Sequence, residues 1–341
     1  MGKEEAKTIN SLMIHIRDKH NIDIGTGVCK GGTHKKSLRN IGYYHGYKGY
    51  RFIKNKNNLI NFNNFNEIVE LNKFDMELKS LIYPKIMFLE TAIKNHVLES
   101  IFQYTRKTDF ESIYSEILTS YNEIQRSDYR NSNAYNNAYK KRLSKRLKLR
   151  TDIYSNLHRN FNSDTKVIQH FYNNNKDVPI WAIFEVIMMG TLGDFIINMK
   201  KDVRLYLSNS IKINTSEDTN SEFMAKIIYT LKDLRNSVAH NNVIFDVRFR
   251  SSAISNNFKQ AIQNDTGISN ITLDSIVDYI VLIVYLLKGL GETKTEMKRF
   301  VNSFSNIIEA FRENINISDY NKILPTDTRN KINNLNTFIS R

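Results

Sequence analysis

Through most of this chain apolar residues recur every three or four positions, the spacing of one helix face. Residues 7–20 make a short amphipathic helix on Ile9, Leu12, Met13 and Ile16, and the glycine-rich stretch 21–33 reads as loop. The longest run covers 65–102. Ile68, Leu71, Phe74, Leu78 and Leu81 carry it up to Pro84, and Met87, Ile93, Val97 and Ile101 beyond, with Pro84 expected to kink the helix or start a new one. Residues 109–125 continue helical, and the polar stretch 127–139 reads as a loop or mobile insertion. After 167–172 a helix opens at Pro179, with Trp181, Phe184, Ile187 and Met188 as core candidates. Gly190 either lets two helices approach or ends one. Helices at 192–207 and 223–240 flank the polar 214–220, residues 243–249 read as briefly extended, and helices at 272–290 and 293–313 follow. The chain after Pro325 reads as a polar tail. With only three prolines, this predicts an all-α protein.

At 341 residues the chain can bury a large core, as one extended domain or two. The expected division is an N-terminal region at 1–62, a helical domain at 63–325 with a basic insertion at about 127–150, and the tail at 326–341. The most apolar run, 276–290, contains Asp278 and Lys288; it is too short and too polar to span a bilayer and reads as a buried helix. No membrane association is expected. The opening residues lack the apolar region of a signal peptide, and Ala6 stands where myristoylation wants Ser or Thr. Cys29 is alone, which excludes a disulfide framework and a cysteine-rich zinc site and suits a reducing cytoplasm. No histidine–carboxylate cluster has metal-ligand spacing, so neither metal nor cofactor is expected. Gly25-Thr26-Gly27 and Gly31-Gly32-Thr33 are not a nucleotide-binding loop, because no Gly-Lys-Ser/Thr closes the run.

Charge changes the picture. Lys and Arg number 49 against 35 Asp and Glu, a net of +14, which calls for a polyanionic partner, nucleic acid or an anionic membrane. Two segments concentrate it. Residues 34–51 interleave Lys35, Lys36, Arg39, Lys48 and Arg51 with tyrosines, a combination that can neutralise phosphates and stack on unpaired bases. Here Tyr43 and Tyr44 are assigned to packing. Residues 140–150 hold seven basic side chains: Lys140, Lys141, Arg142, Lys145, Arg146, Lys148 and Arg150. Leu143, Leu147 and Leu149 seat part of that helix and leave its basic side for RNA. The run lacks the large apolar residues of an interfacial helix, which disfavours a membrane.

The candidate chemistry lies at the end of the 223–240 helix, in Leu234-Arg235-Asn236-Ser237-Val238-Ala239-His240-Asn241-Asn242. Asn236 and His240 are four apart and share a face. Arg235 falls on the stripe of Ile228, Leu231 and Val238, and Asn241-Asn242 offer a left-handed cap. A histidine in the last turn feels the negative end of the helix dipole, which favours its protonated form. Histidine moves protons near neutral pH and arginine holds phosphate oxygens, so these residue types can cut RNA without a metal. His240 would act as general base on the ribose 2′-hydroxyl or as general acid on the leaving 5′-oxygen. Arg235 would stabilise charge on the phosphate, and Asn236 would orient His240 or bind the phosphate. The spacing of Arg39 and His45 is superficially similar, but glycines at 42, 46 and 49 argue against a helical frame there.

This stretch resembles the Arg-Asn-x-x-x-His signature of HEPN-type ribonucleases, in the form carried by abortive-infection (Abi) proteins of the AbiD/AbiF type. Leu38-Arg39-Asn40-Ile41-Gly42-Tyr43-Tyr44-His45-Gly46-Tyr47 resembles the same family, as do Glu70-Leu71-Asn72-Lys73-Phe74-Asp75 with Phe88-Leu89-Glu90-Thr91-Ala92-Ile93, and Pro179-Ile180-Trp181-Ala182-Ile183-Phe184 running on to Met189-Gly190-Thr191-Leu192. The resemblance covers about residues 35 to 250. It implies a HEPN-like helical bundle and a metal-independent endoribonuclease of phage defence. It also implies two motifs meeting across a homodimer and a small noncoding RNA as inhibitor or guide. The alternative is an RNA-binding scaffold with little or no nuclease activity.

Overall fold

The computed structural model describes residues 6–25, 28–251 and 254–341. The expectations for the first five residues and for Thr26 and Gly27 lie outside the described residues. All regular structure among the described residues is helical: α1 (Ile9–His20), α2 (Val28–Ile41), α3 (Phe65–Phe102), α4 (Phe110–Glu116), α5 (Ser132–Asn162), α6 (Lys166–Asn173), α7 (Ile180–Val186), α8 (Met189–Asn198), α9 (Lys201–Ser210), α10 (Phe223–Ala239), α11 (Asn256–Thr266), α12 (Ile276–Gly289), α13 (Lys294–Asn314), α14 (Ile317–Ile323) and α15 (Thr328–Ser340). The protein is all-α, and no described helix is long and apolar enough to cross a membrane.

Several helix starts are written in the sequence. The side chains of Thr8, Asn64, Asp109, Asn131, Thr293 and Asn316 each accept a backbone N–H of the first turn that follows, a cap worth about 1 kcal/mol. At α3 Glu67 also reaches back, its carboxylate accepting the Asn63 N–H at 2.7 Å.

The core is built around α3 and α12. Leu71, Phe74, Leu78, Ile82, Ile86, Leu89, Ile93 and Val97 form one buried stripe on α3, and residues 276–287 of α12 are buried on every side. Helices α8, α9, α10, α12 and α13 all pack on α3. Pro84 does not start a new helix. It lies on the exposed side of α3, where the carbonyl its missing N–H leaves free can meet water.

Several expectations are corrected. Residues 28–33 belong to α2 and 132–139 to the first turns of α5, so neither is loop. The 192–207 helix is two helices, broken at Met199 and Lys200. Residues 243–249 form turns, with Val247 at φ 59°, instead of an extended segment. Trp181 and Met188 are exposed, whereas Phe184 and Ile187 are core. The polar tail is α15, which buries Ile332, Leu335, Phe338 and Ile339 against α12 and α13.

Candidate functional site

Helix α10 buries Ile227, Ile228, Leu231 and Leu234 and ends on a left-handed asparagine. Asn241 has φ 54°. Its N–H donates to the Val238 carbonyl at 3.1 Å, and the Asn242 N–H donates to Ser237 at 2.8 Å. These two bonds satisfy carbonyls that a helix end leaves free. The asparagine cap expected from sequence stands at Asn241, and it fixes the direction in which the chain leaves His240.

Helix α3 holds that end from beneath. Asp75 and Lys79, one turn apart, form a buried ion pair at 2.7 Å. Lys79 Nζ donates to Asn241 Oδ1 at 2.9 Å. Asp75 Oδ1 accepts the backbone N–H groups of Ile244 and Phe245, at 2.9 and 2.8 Å, and Asp75 Oδ2 accepts the Tyr50 hydroxyl at 2.8 Å. Burial and then the Asp75 carboxylate push the Tyr50 hydroxyl far above its ordinary pKa, so it stays a donor. Arg248 ties the same chain segment to the N-terminal region through the Gly49 and Phe52 carbonyls, at 2.7 and 2.6 Å. Tyr50 stacks on Phe245 with ring centroids 5.9 Å apart. Three stretches far apart in sequence are therefore locked together behind His240.

A second ion pair on α3 faces Arg235. Glu90 is buried; its Oε1 lies 3.2 Å from Lys94 Nζ, and its Oε2 lies 3.7 Å from Arg235 Nε. Glu90 and Lys94, four apart on α3, are both shielded, and Lys94 also donates to the Ile187 carbonyl at 3.2 Å. The contact to Arg235 is an ion pair too long for a hydrogen bond. Arg235 Nη1 touches Asn236 Oδ1 at 3.4 Å, and Nη2 makes no hydrogen bond among the described residues. Because Glu90 meets Arg235 while Asp75 and Lys79 meet the chain after His240, α10 runs antiparallel to α3.

Arg235, Asn236 and Lys232 line a cleft of about 960 Å³ between α3, α5, α7, α8 and α10. Lys94, Lys148 and Arg159 bring further positive charge, and Asp152, Glu185 and Asp194 offset it. Gly190 sits at the close contact of α8 with α10, where an added Cβ would come within 3.4 Å of Lys232 Cδ. At Gly193 it would come within 2.7 Å of the Tyr229 ring, whose hydroxyl donates to Asp194 at 2.6 Å. Small residues on α8 thus bring the two helices together along one wall of the cleft.

His240 is the C-cap of α10, with φ −94° and ψ 11°. It is exposed, its ring makes no hydrogen bond among the described residues, and it is not among the residues lining the Arg235 cleft. On the other side of the helix end lies a smaller pocket of about 350 Å³, lined by Tyr44, His45 and Gly49 from the N-terminal region and by Ser237, Asn242 and Val243. At 100° per residue His240 falls roughly 40° from Asn236 and roughly 60° from Ser237 around α10, on the ridge between the two hollows.

The basic segments divide sharply. Lys35, Lys36 and Arg39 stand exposed on α2. Lys48 lies over the Tyr44 ring at 4.8 Å, and Arg51 over the Tyr47 ring at 5.5 Å. Tyr43 packs on the core, but Tyr44 is 68% exposed, against the packing role expected for it. On α5 only Leu149 is a fully buried leucine of the basic run; Leu147 is exposed. Arg146 donates to the Tyr114 and Leu118 carbonyls at 2.6 Å and lies 3.6 Å from the Tyr114 ring centre. Arg142 pairs with Glu222, Lys148 with Asp152 at 2.5 Å and Arg150 with Glu111 at 2.8 Å. Lys140, Lys141 and Lys145 are exposed and make no ion pair among the described residues.

A family model described as "Abi-like protein" matches residues 36–246. No curated protein and no solved structure matches the chain. The matched span begins on α2, contains all of α3 and ends three residues after Val243, so it holds Arg235, His240, Glu90 and the Asp75–Lys79 clamp together.

Proposed function

The chain belongs to the Abi-like family of abortive-infection proteins, and from that premise we propose that it is a HEPN-type, metal-independent endoribonuclease that acts against phage. The observation that carries this reading is the Glu90–Arg235 contact. A buried carboxylate holds the guanidinium by its Nε side against the lining of a cleft, leaving Nη2 for a phosphate oxygen. His240 stands at the capped end of the same helix, exposed to a substrate. RNA entering along the cleft meets Arg235 as the charge-stabilising group and His240 as the proton-transfer group, with Asn236 between them. The ribose 2′-oxygen attacks phosphorus, the bond to the 5′-oxygen breaks, and the products are a 2′,3′-cyclic phosphate and a 5′-hydroxyl. DNA has no 2′-hydroxyl and is left intact. A second proton-transfer group is needed, and a second copy of the chain in a homodimer is one source.

The exposed cations of α2 and α5 suit a bound small noncoding RNA that restrains or guides the nuclease. A scaffold that binds RNA without cutting it is the competing reading, and the position of His240 outside the Arg235 cleft favours it.

The deciding experiment purifies the protein with its native flanking DNA, wild type beside His240→Ala, and sequences the RNA that co-purifies and the ends of cellular RNA. Cyclic-phosphate ends made by wild type alone, with equal RNA binding by both proteins, support the nuclease. Equal binding with no new ends from freed wild-type protein supports the scaffold.

A further inference from the structure

The pocket beside the Arg235 cleft supplies what α10 lacks. We infer that His45 is the second proton-transfer group of the site, contributed by the same chain, and that RNA crosses the end of α10 from the Arg235 cleft to the His45 pocket with His240 on the ridge between. This rests on the ribonuclease reading above.

Four observations lead there. General acid–base cleavage of RNA uses one group to take the 2′-proton and another to protonate the 5′-oxygen, and α10 presents one histidine. His45 lines the pocket whose opposite wall is Ser237 and Asn242, the residues that bracket His240 in the helix cap. His45 is exposed, and like His240 its ring makes no hydrogen bond among the described residues, so both rings are available to a substrate. Beside it Tyr44 is 68% exposed with Lys48 over its ring, a face on which a base can stack next to a cation for the phosphate.

The backbone that presents His45 is unusual and specifically built. Residues Gly42–Tyr47 form a π-helical turn, a rare form found frequently at functional sites. Gly42 enters it at φ +80°, a conformation glycine adopts without penalty. At Gly46 an added Cβ would stand 2.4 Å from Ile41 Cβ and 2.6 Å from the Ile41 carbonyl oxygen, so only glycine fits. Gly42 and Gly46 thus bracket Tyr44 and His45, both of which are exposed. Tyr47 and Tyr50 anchor the turn from inside, and Tyr50 joins it through Asp75 to the segment after His240. The segments that carry His45 and His240 are thus linked through one buried carboxylate.

The reaction balances without a further reagent. One histidine takes the 2′-proton as the P–O2′ bond forms; the other gives its proton to the 5′-oxygen as the P–O5′ bond breaks. The first, now protonated, and the second, now neutral, exchange the proton through water.

The test compares wild type, His45→Ala and His240→Ala on a single-stranded RNA substrate, with RNA affinity, the pH–rate profile and added imidazole as readouts. The expected result for His45→Ala is a rate loss of about 10²- to 10⁴-fold with RNA affinity unchanged, loss of one limb of a bell-shaped profile, and partial rescue by imidazole. Mixing the two inactive variants restores nothing, because neither chain then holds both histidines. Wild-type cleavage by His45→Ala, with His240→Ala inactive, overturns the role of His45 and leaves the ribonuclease reading standing. Weaker RNA binding with an unchanged pH profile overturns it too, leaving His45 a binding residue. Restored activity in the mixture overturns the single-chain site. If wild type leaves RNA intact, or cuts no faster than His240→Ala, the ribonuclease reading itself fails.

Discussion

Two regions of this protein use polar side chains in opposite ways. At the end of α10 the polar groups are few and buried: one carboxylate, Asp75, accepts a lysine, a tyrosine hydroxyl and two backbone N–H groups, and so ties together α3, the N-terminal region and the turns after His240. Along residues 140–150 of α5 the charges are many and mostly at the surface, and four of the seven are engaged with nearby acids or carbonyls. A run of charges in sequence is therefore a poor measure of free charge, and a single buried carboxylate is a strong measure of architecture.

The sharpest break in that comparison is Asp75→Ala. It strands Lys79 in a buried site without its counter-charge and frees the Ile244 and Phe245 N–H groups. Breaking a buried ion pair from one side costs about 3–5 kcal/mol. A urea titration should show that loss. Lys145→Ala on α5, by comparison, should stay within about 0.5 kcal/mol of wild type.

Within α5 the seven basic residues should themselves separate. Arg146→Ala removes the donors of the Tyr114 and Leu118 carbonyls and a stacked cation, and should cost about 1–3 kcal/mol in the same titration. It should do so with or without RNA, because the guanidinium is turned inward. Equal stability of Arg146→Ala and Lys145→Ala would show that the two residues are not divided in this way.

Neutralising Lys140, Lys141 and Lys145 together to Gln probes the charges that remain free. Stability should hold within about 0.5 kcal/mol. If single-stranded RNA docks there, the slope of log affinity against log salt should fall by about 2, roughly 0.7 for each phosphate that no longer meets a lysine. An unchanged slope would remove α5 from the RNA surface and leave α2 as the remaining basic face.

What sequence reasoning could see follows the same division. Periodicity exposed the all-α class, the long α3 and the wholly buried α12, because each is a sustained apolar pattern. The cap at Asn241 was legible because it needs only local chemistry. The helices α11, α14 and α15 were missed: asparagines and threonines dilute a stripe as sparse as Ile332, Leu335, Phe338 and Ile339. Trp181 looked like core because large aromatics usually are, but it faces outward beside Phe171, 5.6 Å away between ring centres. Arg235, Asn236 and His240 were visible as residue types. The Asp75 clamp was not, since its backbone partners lie 169 and 170 residues along the chain and no local pattern marks them. The spacing Glu90-x-x-x-Lys94 was visible, but its burial against Arg235 was not.

The last effect expected concerns acid, and it too separates the two regions. His20 packs edge-on against Tyr47, 5.8 Å between ring centres, on the inner side of the turn that presents His45. Burial first, and then the positive charge of Arg51, lower its pKa from 6.5 to about 4. Between those values the unfolded chain holds a proton on this histidine that the folded chain does not. Its contribution is therefore complete above about pH 6.5, declines as pH falls, and is spent below about pH 4. Hydrogen exchange at pH 5 should show earlier opening around residues 42–50 than at pH 7, with α5 unchanged relative to the core. In His20→Gln, which cannot take up the proton, the pH dependence of that opening should shrink. If opening at 42–50 keeps its full acid dependence in His20→Gln, His20 does not govern the acid response of this wall, and another group must, such as His15, whose ring centre lies 5.2 Å from that of His20.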